Sequence, residues 1–480
     1  MVRILENLLI LYYVFYFLID WTFMIIFMKS IKNENVGFTT DDKFADFPVS
    51  IIVPAFNEEI TILHSVKMLL ALDYPNYEVI VVNDGSKDNT LNILLQNYSF
   101  SEINKSFEEI IHTEKIKKIY KSDNLILIDK ENGGKADSIN AGINFSKNRI
   151  ICTIDADSIL DEKALKQTVQ PIINDENVFV SGGQLAVANG IQIRNNKILK
   201  SELPKNIWVQ WQIIEYIKSF LIARYGMSKI NSIMIMSGAF SVYKRRDLLV
   251  IGGFLTKDND SDYIRKIASN GSQTICEDME VVVRLWRYFY ENDVKAKAVF
   301  LPHPICWTEV PDNPRFLLKQ RNRWHRGLAE TLKIHKTMMF EPKYKMIGLF
   351  AFPYYFFFEL LSPLIKIFTL VFLIYATFAG LLNQAWILLT VIFTTLASAI
   401  ITSLSTVFIE EWSLKNKLTS YDALRYKTGK DWVLLLFVSI LGDFIYAPFK
   451  IFAQISGLKD FINKKNEWYK FSRKGFGKKE

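Results

Sequence analysis

Apolar positions along the chain follow two different patterns. Residues 8–28 form an almost uncharged run, interrupted only by Asp20, and the run is as long as the ~20 residues that a helix needs to cross a bilayer. Further along, short β-branched runs alternate with amphipathic stretches, and the last third is again hydrophobic. These patterns predict an N-terminal membrane anchor over residues 1–32, a polar linker over 33–47, a folded domain over 48–328, and a C-terminal membrane region with a basic tail over 329–480.

The folded region has the pattern of an α/β domain. Runs typical of buried strands lie at 49–53, 77–82, 124–128, 149–154 and 178–188, with helical stretches between them. Such runs indicate a mostly parallel sheet with helices on both faces. Asn57 is predicted to cap a first helix that continues to about Leu72, and 203–225 is predicted to form an aromatic-rich helix against the membrane or over the site. Each early strand ends in a polar cluster, which is where open α/β sheets bind ligands.

The C-terminal third predicts several membrane-associated helices. Pro353 and Pro363 break residues 346–378, which favours an interfacial half-helix followed by one span, and 385–408 has the composition of a further span. In a multi-pass protein of the cell membrane with the folded domain in the cytoplasm, a third crossing at 432–455 would put the basic tail outside. Because positive flanks stay inside, this stretch is expected to lie at the interface or to re-enter.

Composition and charge narrow the classes of function. Half of the residues are apolar, and 58 basic against 50 acidic residues give a net charge of +8. The basic excess lies beside the membrane segments rather than in one basic and aromatic face, so the expected partner is a lipid bilayer and not nucleic acid. The three cysteines are isolated, which argues against a disulfide framework or a zinc site.

Two carboxylates stand two residues apart after the fourth strand, in Asp155-Ala156-Asp157. Side chains at this spacing point to the same side, and a hard cation such as Mg²⁺ is held by one or two carboxylates together with substrate phosphates. An Asx turn is the simpler explanation for an isolated Asp-x-Asp. The neighbouring polar clusters favour Asp155 and Asp157 as ligands of Mg²⁺ or Mn²⁺, with Asp155 also contacting a nucleotide sugar.

Residues after the first three strands have the chemistry to bind a nucleotide. Asp84 can accept a hydrogen bond from a base edge, and Phe56 and Glu58 can flank the same ring. Lys135 follows two glycines at a predicted helix N-terminus, where backbone donors favour phosphate. Taken singly, Asp84 is explained equally well by a tight turn and Lys135 by a solvated lysine.

Two later motifs complete the candidate site. Glu277-Asp278 precedes an amphipathic helix and supplies a carboxylate that can take the proton of an attacking hydroxyl, although acids at a helix start need no such role. In the segment Gln320-Arg321-Asn322-Arg323-Trp324, the guanidinium groups can hold a diphosphate and the indole can stack on a sugar face. A basic, aromatic belt at the membrane border is the alternative explanation.

Taken in order, these motifs resemble those of the processive family 2 glycosyltransferases, the hyaluronan, chitin, cellulose and poly-N-acetylglucosamine synthases. The family pattern is an Asp, an Asp-x-Asp, a Thr-Glu-Asp-like motif and a Gln-x-x-Arg-Trp motif. Here these places are taken by Asp84, 155–157, 276–278 and 320–324, and Cys276 departs from the usual Thr. The resemblance covers about residues 48–328.

The resemblance implies a GT-A domain and a role for each candidate residue. Asp84 and Lys135 would contact the nucleotide, and Asp155 and Asp157 would organise the metal and diphosphate. Asp278 would be the general base, and Glu277 would be a second catalytic acid beside it. Ser237 and Gly238 would lie near the acceptor sugar, and the site would be closed by Gln320, Arg321, Arg323 and Trp324.

The reaction implied is an inverting, Mg²⁺- or Mn²⁺-dependent transfer from a UDP-sugar to a growing β-linked polysaccharide, with or without its export. UDP-GlcNAc is the first expectation for the donor and UDP-glucose the second, and an accessory membrane subunit is left open. One alternative is a nonprocessive transferase that makes a glycolipid. The other is a transporter or scaffold with a degenerate nucleotide-binding domain, against which the intact acids argue.

Overall fold

The computed structural model describes residues 2–31, 41–104, 108–194, 197–259, 261–268, 273–381, 384–415 and 424–465. Most of the predicted linker, at 32–40, and the predicted basic tail beyond 465 lie outside these residues. The strands are β1 Val49–Ala55, β2 Tyr77–Asp84, β3 Ser101–Glu102, β4 Ile116–Ser122, β5 Leu125–Lys130, β6 Ile150–Ile154, β7 Ser158–Leu160, β8 Val178–Val187, β9 Ile191–Arg194, β10 Lys197–Ser201, β11 Phe240–Lys244 and β12 Lys297–Thr308.

One mixed sheet has the strand order β3-β4-β5-β2-β1-β6-β11-β8-β12-β7, and β9 and β10 form a separate hairpin. Its centre consists of the parallel strands β5, β2, β1 and β6, which are the first four strands that the sequence predicts. β11 then enters antiparallel between β6 and β8. The predicted α/β fold is confirmed, although antiparallel pairs at both sides make the whole sheet mixed rather than mostly parallel.

The helices surround this sheet and continue into a membrane-type bundle. They are α1 Val2–Ile31, α2 Asp41–Ala45, α3 Ile62–Leu69, α4 Thr90–Asn97, α5 Lys135–Phe145, α6 Ala164–Asn174, α7 Ile207–Glu215, α8 Ala223–Lys229, α9 Arg245–Val250, α10 Asp262–Ile267, α11 Glu277–Glu291, α12 Pro314–Ile334, α13 Phe352–Tyr354, α14 Ser362–Phe378, α15 Gln384–Lys415, α16 Gly429–Leu441 and α17 Ala447–Ile462. Short π-helical segments join α7 to α8, flank α13 and join α16 to α17.

The first helix of the domain begins later than the sequence predicts. α3 has Thr61 at its N-cap position and ends at Leu69, not near Leu72. Asn57 has a positive φ of 53°, and its side chain accepts a hydrogen bond from the backbone N of Lys87 at 2.8 Å. The prediction of Asn57 as an N-cap was therefore wrong, because this side chain ties the loop after β1 to the loop after β2.

Two described helices are long and apolar enough to cross a membrane, Arg3–Ile31 and Gly429–Ile462. A third candidate is the bent pair Ile347–Leu360 and Ser362–Phe378, whose halves meet at 48°. The bend lies in the segment where the sequence predicts a broken helix. Within α15, which covers the predicted span at 385–408, the apolar part of the described helix is Thr395–Ile409.

α1 changes character near Asp20. Leu8 and Leu18 are 57% and 53% exposed, whereas Phe27 and Ile31 near its end are fully buried against the folded domain. Asp20 itself lies 3.5 Å from the ammonium of Lys218. Trp21 and Ile25 remain 39% and 47% exposed, so beyond Asp20 only one face of α1 packs on the folded domain. The predicted apolar run at 8–28 lies within the helix Arg3–Ile31, which is long and apolar enough to cross a membrane.

The C-terminal helix, residues 429–462, contacts the folded domain along much of its length. Trp211 of α7 donates its indole N–H to the carbonyl of Val438 at 3.0 Å. Further along, Asn322 of α12 donates to the Ser456 hydroxyl at 2.9 Å. The opposite side of this helix exposes large apolar side chains: Val433, Phe437, Phe444 and Phe452 are each more than half exposed.

Candidate active site

Lys135, the first residue of α5, connects three segments at the carboxyl ends of the parallel strands. Its Nζ lies 2.7 Å from Asp155 Oδ1 and 2.9 Å from Glu277 Oε1, and it donates to the carbonyl of Gly238 at 3.1 Å. Burial alone would lower the pKa of Lys135, but Asp155 and Glu277 hold it above its ordinary value. The structure thus brings three of the predicted site residues, Asp155, Glu277 and Gly238, around the partly buried ammonium of a fourth, Lys135.

Asp278 joins the same cluster through Gly238. The backbone N of Gly238 donates to Asp278 Oδ2 at 2.8 Å. Burial and the neighbouring Glu277 raise the pKa of Asp278 above its ordinary value, while Lys135 and Arg224 partly offset this rise. A carboxylate whose pKa is raised by burial is a better proton acceptor than an exposed one, so Asp278 has the environment that a general base needs.

The cluster depends on the absence of a side chain at Gly238. A Cβ at this position would lie 2.9 Å from Lys135 Nζ and 3.2 Å from Asp278 Oδ2. Ser237, the preceding residue, is buried, and its hydroxyl accepts a hydrogen bond from the backbone N of Ala239 at 3.2 Å. The small residues at 237 and 238 therefore let this segment pass directly beside Lys135 and Asp278, and their position near an acceptor sugar remains a prediction.

Asp84 shapes the turn that places Lys135. Its buried carboxylate accepts hydrogen bonds from the backbone N of Gly133 and of Gly134, each at 2.9 Å. It also accepts from Lys130 Nζ and from the Asn132 amide, each at 3.0 Å. Lys130 is fully buried, and on its other side it lies 2.5 Å from Asp137. The structure therefore gives Asp84 a role in holding the backbone, and its predicted contact with a base remains a prediction.

Asp84→Asn is expected to lower the free energy of unfolding by about 3 kcal/mol or more, because one partner of the buried ion pair loses its charge. UDP binding should weaken as well, since the turn before Lys135 loosens. Thermal unfolding in detergent and UDP titration would measure both effects. Asp293→Asn is the control, because Asp293 is exposed and its positive φ of 54° suits Asn. Normal stability with weakened UDP binding would show that Asp84 acts by direct contact with the nucleotide instead.

Phe56 and Glu58 lie in the loop after β1. Phe56 is half-buried at the end of the strand. The backbone N of Glu58 donates to the Thr90 hydroxyl at 2.7 Å, and the Glu58 carboxylate accepts from the Thr61 hydroxyl at 2.9 Å. These contacts join the loop to α3 and α4, so the structure assigns Glu58 a local structural role and leaves its contact with a base as a prediction.

The predicted metal ligands differ in exposure. The Asp155 side chain is 31% exposed, whereas Asp157 is only 1% exposed. Within the described residues, no three His, Cys, Asp or Glu side chains stand close enough to form a metal cage. A Mg²⁺ ion held by one or two carboxylates and by substrate phosphates needs no such cage. The exposed carboxylate of Asp155 therefore fits a cation that arrives with a diphosphate.

Arg321 does not have the position that its predicted role in closing the site requires. The residue is 4% exposed, and its Nη2 lies 2.5 Å from Glu215 Oε2 and donates to the Tyr446 hydroxyl at 3.2 Å. Its guanidinium carbon lies 4.0 Å from the ring centroid of Trp324. The predicted role of Arg321 is corrected accordingly. Its guanidinium is enclosed by protein groups behind Trp324, because it pairs with the carboxylate of Glu215 on α7.

Gln320 and Arg323 of the same motif line a cavity of about 190 Å³ between α12 and the C-terminal helix. Trp324 packs against the ring of Phe220, with 5.7 Å between centroids. The Cys276 thiol lies 4.0 Å from the Trp324 carbonyl, which places the motif beside the loop that leads into Glu277. Gln320, Arg323 and Trp324 therefore remain candidates for closing the site.

Arg224 is a site residue that the sequence did not reveal. It is 8% exposed, donates to the carbonyl of Met236 and lies 4.2 Å from the ring centroid of Phe220. Its charge lowers the pKa of Asp278, in opposition to burial. An arginine within the aromatic-rich stretch 203–225 was the available signal. Lys130 is a second residue that the sequence did not reveal. Nothing in the pattern of β5 indicates that a lysine at its end pairs with Asp84, 46 residues earlier in the chain.

Residues 50–250 match the family model described as glycosyl transferase family 2. The match covers less than half of the chain, and the mixed α/β sheet with the cluster of acids at its carboxyl edge agrees with a family 2 glycosyltransferase domain in that part. The predicted fold class, the predicted enzyme class and the family resemblance are confirmed.

The chain is also similar to named proteins. It is 27% identical over 285 residues to the poly-β-1,6-N-acetyl-D-glucosamine synthase of Staphylococcus epidermidis, and 26% identical over 285 residues to that of Staphylococcus aureus. Each alignment covers 59% of this chain and 55% of the relative, so the chain spans about half the length of these relatives. A mannosyltransferase from Pyrobaculum calidifontis, solved with GDP-Man and Mn²⁺, has a TM-score of 0.52 at 15% identity over 96% of this chain and 100% of that one, which supports the fold.

Proposed function

We propose that the chain is a membrane-embedded, inverting glycosyltransferase that extends a β-linked polysaccharide from a UDP-sugar on the cytoplasmic face. The observation that carries this proposal is the partly buried carboxylate of Asp278, which accepts a hydrogen bond from the backbone N of Gly238 at 2.8 Å beside the cation Lys135. A proton acceptor and a phosphate-binding cation stand next to each other there. A sugar transfer between an acceptor hydroxyl and a nucleoside diphosphate needs both.

In the proposed reaction, Asp278 takes the proton of the acceptor hydroxyl while that oxygen forms its bond to the anomeric carbon. The bond from this carbon to the diphosphate breaks, and UDP leaves with the bonding electrons. Lys135 is placed to hold the developing negative charge. Asp155 and Asp157 would hold a Mg²⁺ or Mn²⁺ ion, which supplies further charge for the diphosphate when bound. Displacement without an enzyme nucleophile inverts the anomeric configuration, so an α-linked donor yields a β-linked product.

UDP-GlcNAc is our first choice of donor, because the curated relatives are poly-β-1,6-N-acetyl-D-glucosamine synthases. The test uses purified protein with UDP-GlcNAc, UDP-glucose or UDP-glucuronic acid and Mg²⁺ or Mn²⁺, followed by glycosidase digestion of the product. A polymer made from UDP-GlcNAc supports the proposal. A single sugar on lipid would favour the nonprocessive alternative, and binding of UDP-sugars without any transfer would favour a transporter or scaffold. Synthesis in sealed vesicles would show whether the polymer is exported.

We further propose that the C-terminal helix lies along the cytoplasmic membrane surface and does not cross the bilayer. Its contacts with the folded domain reach from Val438 to Lys465, whose carbonyl accepts from Arg326 at 2.9 Å. At 1.5 Å per residue this stretch is about 40 Å long, more than the ~30 Å of a hydrocarbon core. A helix perpendicular to the membrane would enter the bilayer and lose contact with a cytoplasmic domain over a shorter distance than this. The exposed apolar face would enter the leaflet, and the basic tail would stay inside.

Single cysteines at both ends of this helix would test the orientation. Lys430→Cys and Lys465→Cys should react with a membrane-impermeant maleimide from the cytoplasmic side only. Leu381→Cys, at the end of α14, is expected to react from the opposite side. Labelling of Lys465→Cys from outside the cell would show that the C-terminal helix crosses the membrane.

A further inference from the structure

Glu215, the last residue of α7, joins three helices at the membrane side of the site. Its carboxylate lies 2.5 Å from Arg321 Nη2 on α12 and 3.1 Å from Lys450 Nζ on α17. It also accepts a hydrogen bond from the Tyr446 hydroxyl at 2.7 Å. The Glu215 side chain is 12% exposed. One nearly buried carboxylate therefore connects the aromatic-rich helix, the Gln-x-x-Arg-Trp helix and the C-terminal helix.

Arg321 transmits this contact to Trp324. The guanidinium carbon lies 4.0 Å from the indole centroid, and Trp324 in turn packs on Phe220 at 5.7 Å. Arg224 covers Phe220 at 4.2 Å. These four side chains form a continuous cation–aromatic stack that runs from Glu215 to the neighbourhood of Asp278. A planar guanidinium held by a carboxylate has one preferred orientation, so it can fix the ring that it faces.

The positive charges of Arg321 and Lys450 favour the ionised form of Glu215. Burial alone would raise its pKa, but Arg321 and Lys450 lower the pKa of Glu215 to about 2. Glu215 is therefore ionised at neutral pH. Its contacts hold the stack permanently and do not depend on protonation.

We propose that Glu215 is a positioning residue that orients Trp324 through Arg321 and couples it to the C-terminal helix, and that Arg321 is not a ligand of the nucleotide diphosphate. This inference rests on the proposed function and on the expectation from the sequence that Trp324 stacks on a sugar face when it closes the site. It divides the motif: Arg321 has a supporting role behind Trp324, whereas Arg323 lines the cavity between α12 and the C-terminal helix and lies outside the stack. Loss of Glu215 should therefore impair the acceptor side of the reaction and spare the donor side.

Glu215→Gln is expected to raise the KM for a β-linked GlcNAc oligosaccharide acceptor at least tenfold. The KM for UDP-GlcNAc and the affinity for UDP should stay unchanged. Glu215→Asp, which keeps the charge, should recover part of the loss. An equal effect on donor and acceptor, or weaker UDP binding, would overturn the inference.

Glu291→Gln is a closely matched control. Glu291 also receives an arginine and two tyrosine hydroxyls, from Arg287, Tyr263 and Tyr344 at 2.8, 3.2 and 3.0 Å, but it has no contact with the motif. Its loss should cost stability without raising the acceptor KM. If Glu291→Gln raises the acceptor KM as much as Glu215→Gln does, the effect of Glu215 is a general loss of structure and the inference fails.

A second measurement needs no enzymatic activity and so separates this inference from the proposed function. The shifts in melting temperature of Glu215→Gln and Trp324→Phe should be non-additive in the double variant, because both residues contact the same guanidinium, that of Arg321. The shifts of Glu291→Gln and Trp324→Phe should add. Additive shifts for Glu215→Gln and Trp324→Phe would contradict the inference. If the shifts are non-additive but the protein transfers no sugar, the proposed function is refuted, whereas the coupling of Glu215 to Trp324 is supported.

Discussion

Asp278→Asn is expected to lower the rate of sugar transfer by roughly 10²–10⁴-fold, the usual contribution of a general base. Asn keeps an oxygen that can accept from the backbone N of Gly238, so the segment beside the base should stay in place. Affinity for UDP should remain close to that of the unmodified protein, since the substitution leaves Lys135 and Asp155 intact. Initial rates with a labelled donor and a UDP titration would measure the two effects separately.

Glu277→Gln distinguishes the two neighbouring acids. Glu277 lies 2.9 Å from Lys135, and its expected role is to hold that lysine rather than to accept a proton. We therefore expect Glu277→Gln to weaken donor binding and to lower the rate of sugar transfer far less than Asp278→Asn does. Full activity in Asp278→Asn would refute the assignment of the base, and a larger loss in Glu277→Gln would transfer that role to Glu277.

Lys135→Met is expected to reduce kcat/KM for the donor by about 10- to 100-fold, the equivalent of a charged hydrogen bond worth 1.5–3 kcal/mol. The reason is that three acids would then face the diphosphate without the cation that now lies between Asp155 and Glu277. UDP affinity should fall by a similar factor. Lys135→Arg should retain part of the affinity because it keeps the charge.

The same substitution should change the pH dependence of the rate. Asp278 acts in its deprotonated form, so activity is lost as the pH falls through its pKa. Lys135 lowers that pKa against the effect of burial, and its removal should move the acid limb of the profile to higher pH. Lys118→Met removes a lysine of an exposed ion pair and is the control. An unshifted acid limb would show that Lys135 does not influence the base.

The central strands and the polar ends of those strands could be predicted from the sequence because both depend on local pattern. β1, β2, β5 and β6 are short runs of apolar residues buried on both faces, and such runs have few alternatives in an α/β chain. The site acids follow these strands or begin a helix, so their approximate place follows from topology. The convergence of Lys135, Asp155, Glu277 and Asp278 agrees with that expectation.

The partners of the charged side chains could not be predicted in this way. Arg321 and Arg323 are two residues apart in the same motif and look equivalent in the sequence. Arg321 is nevertheless enclosed by Glu215, which is 106 residues away along the chain. Asp84 likewise receives donors from a turn 48 to 50 residues further on. These contacts are long-range, and neither periodicity nor spacing carries information about them.

The sequence by itself determined the four central strands of the sheet, the location of the candidate acids along the chain and the family motifs, because each of these depends on neighbouring residues. Only the tertiary structure decided which arginine of the motif is buried, that the charge of Arg224 acts on Asp278, and that the C-terminal helix packs along the folded domain. The physical reason is that a buried charge must find its counter-charge wherever packing brings one within reach, and packing is a property of the whole chain.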